Sequence, residues 1–230
     1  MSRLIDLSQE IYQGMNVYPG HLKTVIWEHH LHEETRKNFE GGFSYQSRGL
    51  LLSDHGPTHV DALSHLDPRP DAPTIDKMPL DLFYGEAICI DVSHKEPQSY
   101  INAADLNTAV TRSEADLRRG DILLLFTGTF NRLQGTKEYL SQYPGLDEEG
   151  SNWLVEQGIK TFGVDSPSPD NPISRTYPCH MMCRQHGITH FENLANLNQL
   201  AGKRFTFIGF PLRIRGGTGS PVRAVALFES

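Results

Sequence analysis

Basic residues are too few and too scattered to build a nucleic-acid surface. Lys and Arg number 21 against 28 Asp and Glu, for a formal charge of −7, and binding a polyanion by counterion release needs a clustered basic face. Anionic membranes are disfavoured on the same ground. Long apolar runs are also missing: none reaches the roughly 20 residues needed to cross a bilayer. The N-terminal MSRLIDLSQEIYQGM lacks the basic-then-apolar layout of a secretory signal. Cysteine is scarce. Cys89, Cys179 and Cys183 cannot all pair, and an odd count without a signal fits free thiols in a reducing compartment, so the expected location is the cytoplasm. With no repeat, heptad or low-complexity tract either, the expected partner is a small molecule.

What is present is enough apolar material for a real core: 38% of 230 residues, read as a single domain over 1–230. The 20 Gly and 14 Pro are spread through the chain, marking many turns but no linker. Strand-forming runs recur at 4–8, 24–30, 49–53, 86–93, 121–128, 161–166, 204–214 and 222–229. Helices are expected at 103–118, 147–158 and 178–186, the last opening at Pro178 and closing at Gly187, which suits a left-handed cap. The expected class is mixed α/β, rich in strands.

Residues 53–65, SDHGPTHVDALSH, concentrate three histidines and two aspartates. In an extended chain His55 and His59 would lie about 13 Å apart at ~3.3 Å per residue, too far to share an ion with bonds of about 2 Å. Gly56-Pro57 supplies the bend that turns one toward the other. His59 and Asp61 can point the same way from an extended stretch, and Asp61 and His65 share a face if a helical turn starts nearby. The competing reading is a solvated loop in which Asp61 caps a helix starting at Ala62.

A second cluster lies at 179–193, CHMMCRQHGITHFEN. Cys179, Cys183, His186 and His190 resemble a Cys2His2 zinc set, but the gap between Cys183 and His186 is far shorter than that motif requires. Alternatively His180, from the first turn of a helix, meets Glu192, from beyond a short strand ITHF, across the Gly187 turn.

Together these residues resemble the cyclase family of metal-dependent hydrolases, which includes bacterial kynurenine formamidase and isatin hydrolase. The family pattern H-x-G-T-H-x-D-A-P-x-H reads here as His55-Gly56-Pro57-Thr58-His59-Val60-Asp61-Ala62-Leu63-Ser64-His65. Pro57 stands where the family usually has Gly, and Leu63 where it has Pro. IDLSQEIYQGMNVYPG, FYGEAICIDVS, GDILLLFTG, GVDS, HGITHFENLANL and GTGSPVRAVAL extend the resemblance almost end to end.

The resemblance implies a swivelling β/β/α-type fold with a central mixed sheet, in a homo-oligomer built on a dimer. It implies a first ion on His55, His59 and Asp61, a second on Asp61, His180 and Glu192 in formamidase-like members, and His65 as general acid/base. Isatin hydrolase-like members manage with one manganese on the first three ligands, so one or two ions are expected.

The residue types suit the same chemistry. Imidazole with carboxylate oxygen fits zinc or manganese. Three protein ligands leave room for water, whose pKa a divalent ion lowers from about 15.7 to about 7 while polarising a scissile carbonyl. An imidazole such as His65 can then protonate the departing nitrogen. The expected activity is opening of a C–N amide bond in a small aromatic or cyclic amide, by an arylformamidase- or isatin hydrolase-like enzyme. Three rivals keep the same ligands: hydrolysis of an ester, lactone or non-aromatic amide, a metal-assisted cyclase or lyase, and a non-catalytic binding protein.

Weaker candidates surround these. Asp165 and Ser166 could line the site or form a turn, HLHEE at 30–34 reads as a solvated charged face, and RGGTGSPVR at 215–223 reads as a turn between strands. Tyr12, Tyr18, Trp27, Phe39 and Phe43 could supply an aromatic wall or pack in the core.

Overall fold

A computed structural model describes residues 2–229. Its strands are β1 (Arg3–Asp6), β2 (Val25–His30), β3 (Ser47–Leu51), β4 (His59–Asp61), β5 (Tyr84–Asp91), β6 (Tyr100–Ile101), β7 (Ile122–Phe126), β8 (Gly145–Leu146), β9 (Thr161–Val164), β10 (Thr189–Glu192), β11 (Arg204–Ile208), β12 (Gly219–Pro221) and β13 (Val225–Phe228). The helices are α1 (His32–Thr35), α2 (Leu63–Leu66), α3 (Ala103–Thr111), α4 (Thr129–Leu133), α5 (Glu148–Gln157) and α6 (Pro178–His186). This is the strand-rich mixed α/β class that the sequence leads one to expect.

Nine strands form one mixed sheet in the order β1-β13-β11-β5-β7-β9-β10-β4-β12. The middle four, β5 to β10 in that order, are parallel, and the strands outside them pair antiparallel. The apolar runs of β5 and β7 have no polar face because both sides of the sheet are covered. Ala87, Cys89, Ile122 and Leu124 enter one core with Phe191, Leu194 and Phe207. Their alternates Ile88, Ile90, Leu123 and Leu125 enter the other, beneath Leu106 of α3, Trp153 of α5 and Met182 of α6.

Two elements end well short of their expected limits. α3 stops at Thr111, not near 118, and the Thr108, Thr111 and Ser113 hydroxyls bond back to carbonyls one turn earlier, a competition that weakens helical continuation. β11 ends at Ile208; the Gly209 N–H still bonds the Phe83 carbonyl in register, and Pro211 beyond it has no N–H to carry the ladder on. Among the described residues no helix is long and apolar enough to cross a membrane.

Candidate metal centre

β4 lies between β10 and β12, with His59 directly opposite Glu192 and Asp61 opposite Gly219. Strand alternation sends His59 and Asp61 to one side of β4, and likewise His190 and Glu192 to one side of β10. The Gly56-Pro57 bend brings the His55 ring to 5.2 Å from that of His59. α2 starts at Leu63 with Ala62 as its N-cap, so Asp61 does not cap it. The turn instead sets His65 Nε2 3.9 Å from Asp61 Oδ2. α6 delivers His180 from its first turn. The six expected residues, His55, His59, Asp61, His65, His180 and Glu192, thus line one cavity of about 300 Å³, together with Tyr18, His21 and Tyr177.

The donors fall into two groups that meet at Asp61. In the first, His55 Nδ1 is 2.8 Å and His59 Nε2 3.4 Å from Asp61 Oδ1. In the second, Asp61 Oδ2 lies 3.4 Å from His190 Nε2 and 4.0 Å from His180 Nε2. Glu192 completes the second through Oε1, 3.2 Å from His190 and 3.9 Å from His180, while its Oε2 is 3.4 Å from His59. Each carboxylate therefore offers one oxygen to either side.

Hydrogen bonds behind the rings aim the imidazoles. Thr218 gives its hydroxyl proton to Asp54, so its oxygen accepts from His55 Nε2 at 2.9 Å and leaves the Nδ1 lone pair facing inward. His59 Nδ1 donates to the Pro57 carbonyl at 2.9 Å, freeing Nε2. His180 Nδ1 donates to Asp170, whose carboxylate also accepts the Cys179 and His180 N–H groups and so caps α6 from the loop that precedes it. His190 Nδ1 sits 3.6 Å from Cys183 Sγ. Backing of this kind fixes tautomer and orientation in metal-binding histidines.

Two buried carboxylates side by side demand positive charge. Burial pushes the His59 imidazole down, yet Asp61 and Glu192 outweigh it and hold the group up at about 10. Burial likewise raises Glu192, but His190 and His59 bring it down to about 2. A divalent ion meets the same demand, and the nitrogen and oxygen donors suit zinc or manganese rather than an oxygen-seeking calcium. His65 differs from the other rings: its side chain is 33% exposed, and burial, with His55 and His180 nearby, holds its pKa below the usual value.

Several expectations need correction. The Cys179, Cys183, His186 and His190 set does not converge among the described residues; His190 stands instead with Asp61, His180 and Glu192, a grouping that the spacing of residues 179–193 does not suggest. Glu192 lies within β10, not beyond it. The 215–223 segment is no mere turn, since it contains β12 and the Thr218 that backs His55. Of the proposed aromatic wall only Tyr18 lines the cavity, whereas Trp27, Phe39 and Phe43 are exposed. Asp165 and Ser166 are fully buried and outside the cavity lining. Asp165 anchors Thr127, and burial pushes its pKa up to about 6. At 30–34, α1 begins within an exposed charged stretch, as expected.

Residues 5–171 match the family model described as Cyclase. The chain belongs to the Cyclase family. Its sequence is similar to kynurenine formamidase of Salinibacter ruber, 30% identical over 225 residues and 96% of both chains. Kynurenine formamidase of Bacillus cereus is 29% identical over 230 residues, covering 97% of each. In fold the chain is similar to isatin hydrolase A from Labrenzia aggregata bound to benzyl benzoate, with a TM-score of 0.86 at 22% identity, covering all of this chain and 94% of that one. This cyclase-family chain is a hydrolase of C–N bonds outside peptides.

Proposed function

We propose that the chain is an amidohydrolase that uses one or two divalent ions, zinc or manganese, to open the C–N bond of a small aromatic or cyclic amide. When bound, the ion supplies an acidified water and polarises the carbonyl to be attacked. His55, His59 and Asp61 would hold it, with His180 and Glu192 joining Asp61 for a second. The observation that carries the reading is His65, which faces Asp61 but is partly exposed, with no hydrogen bond to either ring nitrogen among the described residues. It is neutral at pH 7, so it accepts a proton from the attacking water and hands it to the departing nitrogen. Tyr18 and Tyr177 flank the cavity, and burial and mutual contact push the Tyr18 phenol up to about 12, keeping it a donor beside an aromatic substrate. The names of the curated relatives support an arylformamide, and those of the structural neighbours a cyclic amide such as isatin.

The test compares wild type with His65→Ala on N-formylkynurenine, isatin, cyclic imides and an activated ester. A ring-opened product heavier by one water from isatin or an imide, or kynurenine together with formate from N-formylkynurenine, marks hydrolysis and excludes a cyclase or lyase. His65→Ala is expected to keep its metal and lose about 10² to 10⁴-fold on amides, but only about tenfold on the ester, whose leaving group needs no proton. Loss of metal would make His65 a ligand, and equal losses on both substrates would remove its role as acid.

The exposed Val25, Trp27, Leu50 and Leu51 of β2 and β3 support a dimer-based homo-oligomer. Three unpaired thiols support a reducing, cytoplasmic location.

A further inference from the structure

The four histidines aimed at the carboxylates share a feature that His65 lacks. Each has one ring nitrogen turned to Asp61 or Glu192 and the other held by a partner behind it: Thr218 for His55, the Pro57 carbonyl for His59, Asp170 for His180, Cys183 for His190. His190 is the most deeply placed of them, fully buried on β10 with its ring stacked on Phe162 at 5.3 Å. An imidazole so confined cannot turn toward substrate. Its Nε2 has only the second donor group to serve.

The spacing of that group is informative. Four donors about 2.0–2.1 Å from a zinc-sized ion stand about 3.3–3.4 Å apart at the corners of a tetrahedron. Four of the donor separations around Asp61 Oδ2, His180 Nε2, His190 Nε2 and Glu192 Oε1 are 3.2, 3.4, 3.9 and 4.0 Å, close to those edges before any inward adjustment. Among the described residues only His55, His59 and Asp61 bring donors all within reach of one another in the first group; Glu192 Oε2 comes to 3.4 Å of His59 without joining them, and the His65 ring packs 4.0 Å from that of His55, its Nε2 lying 3.9 Å from Asp61 Oδ2. Closed four-ligand sites are structural, whereas three-ligand sites keep a position for water.

We infer that His190, backed by Cys183, is the fourth ligand of the second ion, which makes that site closed and structural and leaves the reacting water to the first. Asp61 and Glu192 then tie the two together, the second ion fixing the carboxylates against which the first is held. The inference rests on the metal-dependent reading above but does not depend on which substrate is hydrolysed.

Cobalt(II) chloride titrated into the purified full chain provides a readout independent of activity, because four-coordinate cobalt absorbs visible light several-fold more strongly than five- or six-coordinate cobalt. In a His55→Ala background, which removes the first site, one cobalt per chain with the intense four-coordinate spectrum is expected. Adding His190→Gln should abolish the intensity and weaken binding. Adding Cys183→Ala instead should keep the spectrum and weaken binding by about 10 to 100-fold, the usual effect of losing a backing partner. Circular dichroism of the metal-free variants separates loss of a ligand from loss of the fold, and His190→Ala serves as a second variant if the glutamine form is unfolded. An unchanged spectrum after His190→Gln overturns the inference. So does binding that appears only once His190 is removed, which would make the imidazole the cationic occupant of that site in place of an ion. Hydrolysis without any such cobalt signal would defeat the inference and leave the proposed activity standing, whereas the signal without hydrolysis of any substrate would do the reverse.

Discussion

Gly219 has no side chain, and His55 occupies the room. A Cβ there would meet His55 Cε1 at 2.9 Å, His55 Nδ1 at 3.1 Å and the Val60 carbonyl at 3.1 Å. Since Nδ1 is the atom aimed at Asp61, a methyl group displaces the donor itself. Gly219→Ala is expected to weaken the first site by about tenfold or more while leaving the second intact, as a competitive chelator titration would register; two unchanged affinities would show that the ring slides without cost. At this scale the sequence reveals donors more readily than what aims them. The spacing of His55, His59, Asp61 and His65 is local and needs only one bend, so it is legible. Thr218 and Asp54 act through contacts more than 160 residues apart in the chain, and Asp170 reaches His180 across a ten-residue loop of no regular spacing, so neither is recorded by a motif. His190 was hidden for a further reason: its neighbours Cys179, Cys183 and His186 suggest a thiolate zinc set, and only the pairing of β10 with β4 turns it toward Asp61 instead.

Elements position the second site through a loop held at its narrowest point by a glycine. β8 pairs with β6, and a Cβ on Gly145 would lie 2.0 Å from the Asn171 backbone nitrogen and 2.3 Å from the Asp170 carbonyl carbon. Backbone cannot rotate away as a side chain can. Asn171 is further tied by its side-chain amide to the Gln98 and Ser99 carbonyls, so the loop is pinned on that side. Gly145→Ala should therefore destabilise the chain by about 1–3 kcal/mol or more and, by moving Asp170 off His180, lower the affinity of the second site. Thermal unfolding and metal titration on the same variant check both halves, and reduced stability with unaltered metal affinity would mean that Asp170 is held by α6 rather than by the loop. The long apolar strands β5 and β7 and the capped helix α6 were legible because each carries its own signal: a continuous buried run, or Pro178 and Gly187 at the two ends. β4 and β12 are three residues each, too short for periodicity, and they are strands only because β10 offers an edge for β4 and β4 in turn offers one for β12. The part of the sheet that carries the site was the part that the sequence described least.

The whole molecule carries two further consequences, one on its surface and one at its centre. The β2–β3 ribbon lays Trp27 across Gly49 and leaves Val25 and Leu51 exposed on that same face, with Leu50 exposed on the other. The Val25, Trp27 and Leu51 face is expected to be covered by a second copy, so Trp27→Glu with Leu51→Glu should convert a dimer to a monomer in light scattering; a wild-type monomer would refute the dimer outright. At the centre, Asp61 and Glu192 are buried among imidazoles, and a metal that binds only the folded arrangement stabilises it by mass action. One ion at a hundredfold excess over its Kd contributes about 2.7 kcal/mol, roughly 5–10 °C for a chain of this size, and each further tenfold in free metal adds about 1.4 kcal/mol per site. The unfolding temperature of chelator-treated protein should therefore climb with the logarithm of added zinc or manganese. The slope should be about twice as steep in wild type as in His59→Ala, which loses the first site. A temperature that does not respond to metal would mean that protonated imidazoles already satisfy the two carboxylates, and the cluster would then be an internal ion pair and not a metal centre.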